Sequence, residues 1–256
     1  MSLWINQLLF GIYPYIALTV MVLGSILRFD REQYSWRSGS SQLLRRKQLM
    51  WGSNLFHFGV LFLLLGHTVG LLTPHSLYSH VITAEAKQMV AIVAGSVAGL
   101  ACLAGVILLA LRRFGDPRIR NTSTFGDNAI LIILLVQLLL GLLTVPFSLA
   151  HHDATVMLRL SAWAQGIFTF APDNARHILG LEWPFQLHLL LGLTIFLLFP
   201  FTRLVHMPSA PVGYLGRRGW QVVRPARPNP GAGRGRRPRH TPRHRGRLHW
   251  GVALLN

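Results

Sequence analysis

Four histidines are the residues best suited to do chemistry, because each lies within or at the end of a long apolar stretch: His57, His67, His188 and His206. The first two interrupt the uncharged run Leu49–Leu72, and the last two belong to the run Phe185–His206. An imidazole in hydrocarbon is costly, so an intramembrane histidine indicates a functional site by default. Two helices with two histidines each could clamp two metal centres, and we take a haem with two axial histidines as the working hypothesis.

The cysteine content limits which redox groups this chain can hold. Cys102 is the single cysteine and lies within an apolar run, so the chain has neither an intrachain disulfide nor the several thiolates that an iron–sulfur cluster needs. The sequence also lacks the C-x-x-C-H motif that attaches haem covalently. Any haem is therefore expected to be a non-covalent, b-type haem.

The elements that must position these histidines are membrane helices. With 51% hydrophobic and 13% charged residues, the chain has the composition of a membrane protein. The apolar runs predict an all-α bundle of five spans, at about Leu8–Leu27, Leu49–Leu72, Met89–Leu111, Ala129–Phe147 and Phe185–His206. A further short apolar patch, Val156–Ala171, is interrupted by Arg159 and is interpreted as a helix lying at the membrane interface.

Charge sets the predicted orientation of the bundle. The loop Arg28–Met50 and the segment after Arg112 are rich in basic residues, which the positive-inside bias places in the cytoplasm. The N-terminus is then outside and the C-terminus inside. A sixth span would put the basic C-terminal tail outside, against that bias. No Lys or Arg precedes Arg28, so the first span is expected to remain in the membrane rather than act as a cleaved signal peptide.

The C-terminal tail carries most of the net charge. Residues 212–256 hold 11 Arg and no acid, a net charge of +11 out of +17 for the chain. We divide the chain into a membrane domain at residues 1–224 and an Arg/Pro-rich cytoplasmic tail at 225–256, expected to be disordered because it has little apolar surface to bury. The high pI describes this tail, and no specific nucleic-acid partner is expected.

Depth along two antiparallel spans predicts how the histidines pair. His57 and His206 both lie towards the cytoplasm, and His67 and His188 both lie towards the outside. The separations correspond to about 15 Å of helix rise in the second span and about 27 Å in the fifth. These rises do not match, and tilt or a kink at Pro200 must absorb the difference.

Two functions other than haem ligation remain open on these residues. Histidines in spans also serve proton or ion transport, usually among carboxylates, but none of the eight acidic residues lies within a predicted span. A purely structural anchor for a partner enzyme would leave four buried imidazoles without purpose. Paired-histidine haem would give sharp absorption bands on reduction, whereas the other two functions would give none.

Several specific segments resemble the gamma (cytochrome b) subunit of membrane-bound respiratory nitrate reductase. The similarity covers residues 1 to about 224 and rests on GIYPYIA, LRFDREQYSWRSGSSQLLRRK, SNLFHFG, GHTVGLLTPHSLY, AEAKQ, GLLTVPFS, WAQGIFTF and LHLLLGLTIFLLFPFTRLVH. The Arg-rich tail after about Val223 departs from the family pattern.

The resemblance implies a function for the chain and roles for its residues. His57 and His206 would bind the inner haem b, and His67 and His188 the outer one. Quinol would be oxidised near the outer haem, with Lys87 at the AEAKQ segment binding a quinol oxygen and Gly66 leaving space for the ring. Electrons would pass to an iron–sulfur beta subunit and a molybdenum-containing alpha subunit that reduces nitrate to nitrite. The chain itself would not act on nitrate, and it would reside in the cytoplasmic membrane. A di-haem quinol-oxidising anchor of another redox complex is the alternative.

Overall fold

The computed structural model describes residues 2–36, 44–151 and 153–209, all of which lie in one compact unit, Met1–Ala210. Within these ranges the chain is helical and contains no strand. The predicted boundary at residue 224 and the tail 225–256 lie outside the described residues.

Five helices are long and apolar enough to cross a membrane, which confirms the predicted all-helical fold and the number of spans. We call them spans 1 to 5: Leu3–Arg31, Arg46–Leu72, Ala84–Gly115, Phe125–Ala150 and Trp183–Phe201. Only 6% of an apolar 18-residue stretch of span 2 is buried by the rest of the described chain. Apolar side chains left uncovered in this way suit a helix that faces lipid.

Shorter elements connect the spans. Span 1 consists of Leu3–Gln7, a π-helical turn and Tyr13–Arg31. The short α-helices between spans are His75–Tyr78, Pro117–Asn121 and Thr155–Phe168. The last of these has 14 residues, about 21 Å of rise, and is too short to cross a core of about 30 Å. This length agrees with the interpretation of the patch as a non-spanning helix. Short 3₁₀ turns are Gln33–Ser35, Asn174–His177, Phe199–Phe201 and Arg203–Ser209.

The spans pack in the order 2, 3, 4, 5, 1. The helix Thr155–Phe168 packs against span 2 and also reaches span 1, where the Trp163 indole N–H donates to the Phe10 carbonyl over 2.9 Å. Spans 2 and 5 have no extended contact of this kind within the described residues. The His67 ring of span 2 faces the His188 ring of span 5, and the His57 ring of span 2 faces the His206 ring in the turn that follows span 5.

Glycines allow spans 2 and 3 to approach closely. A Cβ added at Gly59 would lie 2.6 Å from the Cys102 Cβ and 2.8 Å from the Ala98 carbonyl oxygen. A Cβ added at Gly105 would lie 2.8 Å from the Gly52 carbonyl oxygen. Real Cβ atoms do not tolerate such distances, so these glycines lock the two spans face to face near the middle of the bundle.

The fifth span ends earlier than predicted. The α-helix Trp183–Leu198 gives way to the 3₁₀ turn Phe199–Phe201, then to extended backbone at Thr202 and the 3₁₀ turn Arg203–Ser209. The prediction of one helix reaching His206 was wrong. Pro200 explains the break, because it lacks the N–H that would bond the Phe196 carbonyl one turn earlier, and its ring crowds that carbonyl. His57 and His67 are 10 residues apart, whereas His188 and His206 are 18 residues apart. The change of backbone conformation after Leu198, rather than a kink within one helix, compensates for this difference.

Candidate functional site

At the end of the bundle that carries the basic loops, His57 and His206 face each other. Their ring centroids are 6.2 Å apart at an interplanar angle of 68°. The His57 Nδ1 lies 2.7 Å from the Ser53 carbonyl oxygen, one helical turn earlier, and the His206 Nδ1 lies 2.6 Å from the Arg203 carbonyl oxygen. A carbonyl only accepts, so each Nδ1 carries the proton and each Nε2 keeps its lone pair.

At the opposite end, His67 and His188 form a second ring pair. Their centroids are also 6.2 Å apart, at an interplanar angle of 37°. The His67 Nδ1 donates to the Leu63 carbonyl over 2.7 Å. The His188 Nδ1 is buried and has no hydrogen-bond partner within the described residues. Gly141 on span 4 makes room for this ring, because a Cβ there would lie 2.9 Å from the His188 Cε1.

These ring separations can be compared with those of two imidazoles that share one metal ion. If the two rings bind in a straight line from opposite sides, nitrogen–metal bonds of about 2.0–2.1 Å and a ring radius of about 1.2 Å place the two centroids about 6.4–6.6 Å apart. Both pairs, at 6.2 Å, are within a few tenths of an ångström of that distance. No group of three or more His, Cys, Asp or Glu side chains able to hold a metal occurs in the described part of the chain.

His151 provides an internal comparison. Its Nδ1 also lies close to a backbone carbonyl four residues earlier, 3.0 Å from the Phe147 oxygen. Its Nε2, however, lies 3.2 Å from the Glu182 carboxylate. No such partner meets the Nε2 of the four paired histidines among the described residues. The paired rings therefore differ from His151 in that no carboxylate contacts their Nε2 atoms within the described residues.

Arg28 fixes the segment that carries His206. Its guanidinium donates to the Pro200 and Thr202 carbonyls over 2.6 and 3.0 Å, and to the Ser35 side chain over 3.0 Å. Span 1 thus satisfies the carbonyls that the broken helix leaves without intrahelical partners. Nothing in the sequence pattern identified this contact, because Arg28 reads simply as one residue of a basic loop.

Asp127 is a second anchor for the same segment. Its carboxylate lies 3.2 Å from the Arg203 Nε and 3.7 Å from an Arg113 nitrogen, and all three side chains are mostly buried. The same residue forms a capping box with Thr124 at the start of span 4. The Thr-x-x-Asp spacing is a sequence signal for that cap, but the link to Arg203 could not be read from the sequence.

Acidic residues are confined to the ends of the spans. With the helix bounds of the structure, Asp30, Glu85 and Asp127 fall inside spans, which corrects the expectation that no span holds an acid. Each, however, lies in a terminal turn. No carboxylate lies between the two histidine pairs along spans 2 and 5.

Lys87 lies in the first turn of span 3, at the same end as His67. Its Nζ is buried, has no hydrogen-bond partner within the described residues, and lies 3.7 Å from the centroid of the Tyr78 ring. Burial first, and then the nearby Glu85 carboxylate, raise the pKa of the Tyr78 phenol above its ordinary value. The predicted site residue Gly66 has open space around it, since a Cβ there would meet nothing within 4 Å. No hydrogen bond in the described chain joins Lys87 to His67.

Comparison with known proteins places the chain in a family. The family model described as nitrate reductase gamma subunit matches residues 6–226. The chain is 48% identical over 221 residues to the respiratory nitrate reductase 1 gamma chain of Escherichia coli K12, covering 86% of this chain and 98% of that protein. It is 48% identical over 224 residues to the respiratory nitrate reductase 2 gamma chain of the same strain, covering 88% and 99%. The nitrate reductase gamma chain of Bacillus subtilis 168 is 38% identical over 213 residues, covering 83% and 95%.

The family match at residues 6–226 includes both histidine pairs and nearly all of the five spans. The alignments with these three relatives cover almost their whole length, so the similarity concerns whole subunits rather than a shared segment. The chain therefore belongs to the nitrate reductase gamma subunit family, as a multi-pass membrane subunit that associates with the other subunits of a respiratory nitrate reductase.

Proposed function

We propose that this chain is the di-haem cytochrome b subunit of its nitrate reductase. In this role it oxidises quinol near the outer face of the cytoplasmic membrane and passes electrons inward. The electrons go to an iron–sulfur beta subunit and a molybdenum-containing alpha subunit, where nitrate is reduced to nitrite. The observation that carries the proposal is that the histidines form two facing pairs, His57–His206 and His67–His188, each with ring centroids 6.2 Å apart.

The described side chains fit two non-covalent b-type haems. His57 and His206 would hold one through their Nε2 atoms, and His67 and His188 the other. Bound haem would supply reversible one-electron transfer. The backbone carbonyls of Ser53, Leu63 and Arg203 support the arrangement. An Nδ1–H···O=C hydrogen bond orients an imidazole ring and makes its other nitrogen a more basic metal ligand.

Two simpler explanations of the histidines account for fewer of these observations. Edge-to-face packing of aromatic rings also allows centroid distances near 6 Å, but it does not require a free Nε2 on every ring. A proton transporter would need carboxylates or other titratable groups along the path. The carboxylates of spans 2 to 5 lie only in terminal turns, so a path between the two pairs would lack them.

The orientation of the bundle follows from its charged ends. Arg28, Arg113 and Arg203 lie at the same end as the His57–His206 pair, whereas the opposite end holds Lys87 with few other basic residues. The positive-inside bias then places the first pair near the cytoplasm and the His67–His188 pair near the outside. The N-terminus is outside and the chain leaves span 5 in the cytoplasm, where the partner subunits would receive electrons.

Lys87 is the proposed quinol-binding residue. A buried ammonium without an oxygen partner is costly unless a ligand supplies one, and its position at the end of span 3 gives it access to the membrane boundary. The lysine would donate to a quinol oxygen, while the open space at Gly66 would admit the ring beside His67. Protons released there would leave on the outer side, and electrons would move inward, so each turnover would separate charge across the membrane.

Absorption spectra of single-histidine variants in the purified complex test the haem assignment. His57→Ala or His206→Ala should remove about one of two haems, and His67→Ala or His188→Ala the other. His151→Ala is the matched control, because its Nε2 already contacts a carboxylate, and it should keep both haems. Loss in a crossed pattern, with His57 grouping with His188, would overturn the pairing.

Lys87→Ala tests the quinol site separately. The variant should keep both haems but reduce them far more slowly with quinol, because the donor to the quinol oxygen is gone. A small artificial donor that feeds the partner subunits directly should still support nitrate reduction. Quinol-driven haem reduction at the wild-type rate would remove Lys87 from the site.

A further inference from the structure

Tyr78 stands out in the connection between spans 2 and 3. Residues 74–77 and 79–81 are exposed, whereas Tyr78 is half-buried and turned towards the bundle. Its ring contacts two ionisable neighbours: the Lys87 ammonium lies 3.7 Å from its centroid, and the His75 ring packs against it edge-to-face at 5.2 Å between centroids. The tyrosine thus lies against the one buried ammonium of the proposed quinol site.

The ring is what stabilises the Lys87 charge in this structure. No carboxylate of the described chain lies within ion-pair distance of the Nζ, although Glu85 is only two residues away, and no oxygen accepts a hydrogen bond from it. The π-face of an aromatic ring attracts a cation electrostatically, most strongly where water is excluded. Unlike a carboxylate, a ring face leaves the N–H donors of the ammonium available for the oxygen of a ligand.

The backbone holds the ring in place. The Tyr78 carbonyl accepts hydrogen bonds from the Val81 and Ile82 N–H groups, each over 2.9 Å. The preceding end of span 2 is fastened by Gln165, which donates to the Leu71 carbonyl over 2.8 Å. The Tyr78 backbone is therefore fixed by its own turn, and the end of span 2 that precedes this turn is fixed by the helix Thr155–Phe168.

We propose that Tyr78 is a positioning residue of the quinol site, whose ring holds the Lys87 ammonium with its N–H donors free to meet a quinol oxygen. This inference rests on the proposed function of Lys87. The aromatic face, rather than the hydroxyl, carries the role, since the hydroxyl makes no hydrogen bond to any of the described residues.

Steady-state kinetics with quinol on the purified complex test this role. Tyr78→Leu removes the π-face while keeping an apolar side chain, and Tyr78→Phe keeps the face but removes the hydroxyl. Leu77→Ala, at a 67% exposed position in the same turn, is the matched control. Tyr78→Leu should raise the KM for quinol about tenfold, whereas Tyr78→Phe and Leu77→Ala should stay near wild type. Haem content and nitrate reduction with the artificial donor should be unchanged in all three.

Three outcomes overturn the inference, and they are distinguishable. If Lys87→Ala is defective but Tyr78→Leu has the wild-type KM, the ring does not position the ammonium, and the proposed function is untouched. If Tyr78→Phe is as defective as Tyr78→Leu, the hydroxyl rather than the ring acts. If Lys87→Ala itself reduces the haems normally, the quinol assignment of Lys87 fails, and the role of Tyr78 fails with it.

Discussion

Gly141→Ala should remove the outer haem and leave the inner one. The new Cβ would lie 2.9 Å from the His188 Cε1 and 3.4 Å from its Nδ1. Carbon atoms in contact prefer about 3.5–4.0 Å, so the ring must move by at least about 0.6 Å. A metal–ligand distance tolerates about 0.2 Å. The displaced His188 would no longer be placed to bind the proposed outer haem together with His67.

The assay is the haem-to-protein ratio of the purified complex, followed by stepwise reduction of the bound haem. Gly141→Ala should contain about one haem instead of two, because each pair is proposed to hold one. Alanine is a better helix former than glycine by about 1 kcal/mol. A loss of haem in this variant therefore cannot be explained by weaker helix formation in span 4. Gly95→Ala on span 3 is the control, since its Cβ would meet nothing within 4 Å. Two haems in Gly141→Ala would refute the ligand role of His188 in this position.

Three further predictions concern the ends of the chain and of the bundle. Asp127→Ala leaves Arg203 and Arg113 without their shared carboxylate, so the complex should lose about 1–2 kcal/mol of stability and the inner haem should dissociate at a lower temperature than in wild type; equal thermal loss curves would contradict this anchor. Truncation after Val223 should keep both haems, because the tail is too polar to build a core; haem loss would show that the tail is structural. A reporter fused after Val223 should be active only if it works in the cytoplasm, and activity confined to an external reporter would reverse the topology.

The number of spans was predictable from the sequence because lipid imposes a simple requirement, about 20 apolar residues for each crossing. Their ends were less predictable. The helix of span 3 continues through Arg112 and Arg113 to Gly115, although charged residues suggested an earlier end. Long basic side chains can extend from a helix into the headgroup region, so charge marks the edge of the hydrocarbon rather than the end of the helix.

The candidate site was predictable only where a residue type signals its own chemistry. Histidines in apolar runs did so, and antiparallel depth suggested how they pair. Gly141 and Tyr78 gave no such signal, because their importance lies in contacts made across the fold. Gly141 meets a histidine 47 positions later, and the Tyr78–Lys87 contact depends on how a turn places one ring. A kink at Pro200 was predicted from the residue itself, but the continuous hydropathy did not show that the α-helix ends there.

The glycine contacts at Gly59 and Gly105 have a consequence for biosynthesis. Spans 2 and 3 are neighbours in sequence and can form a locked hairpin as soon as both have left the ribosome, since local contacts form before distant ones. That hairpin presents His57 and His67, whereas His188 and His206 are synthesised more than 120 residues later. Each proposed haem site is thus divided between an early and a late part of the chain, so complete ligation of either haem has to wait until the last span is inserted.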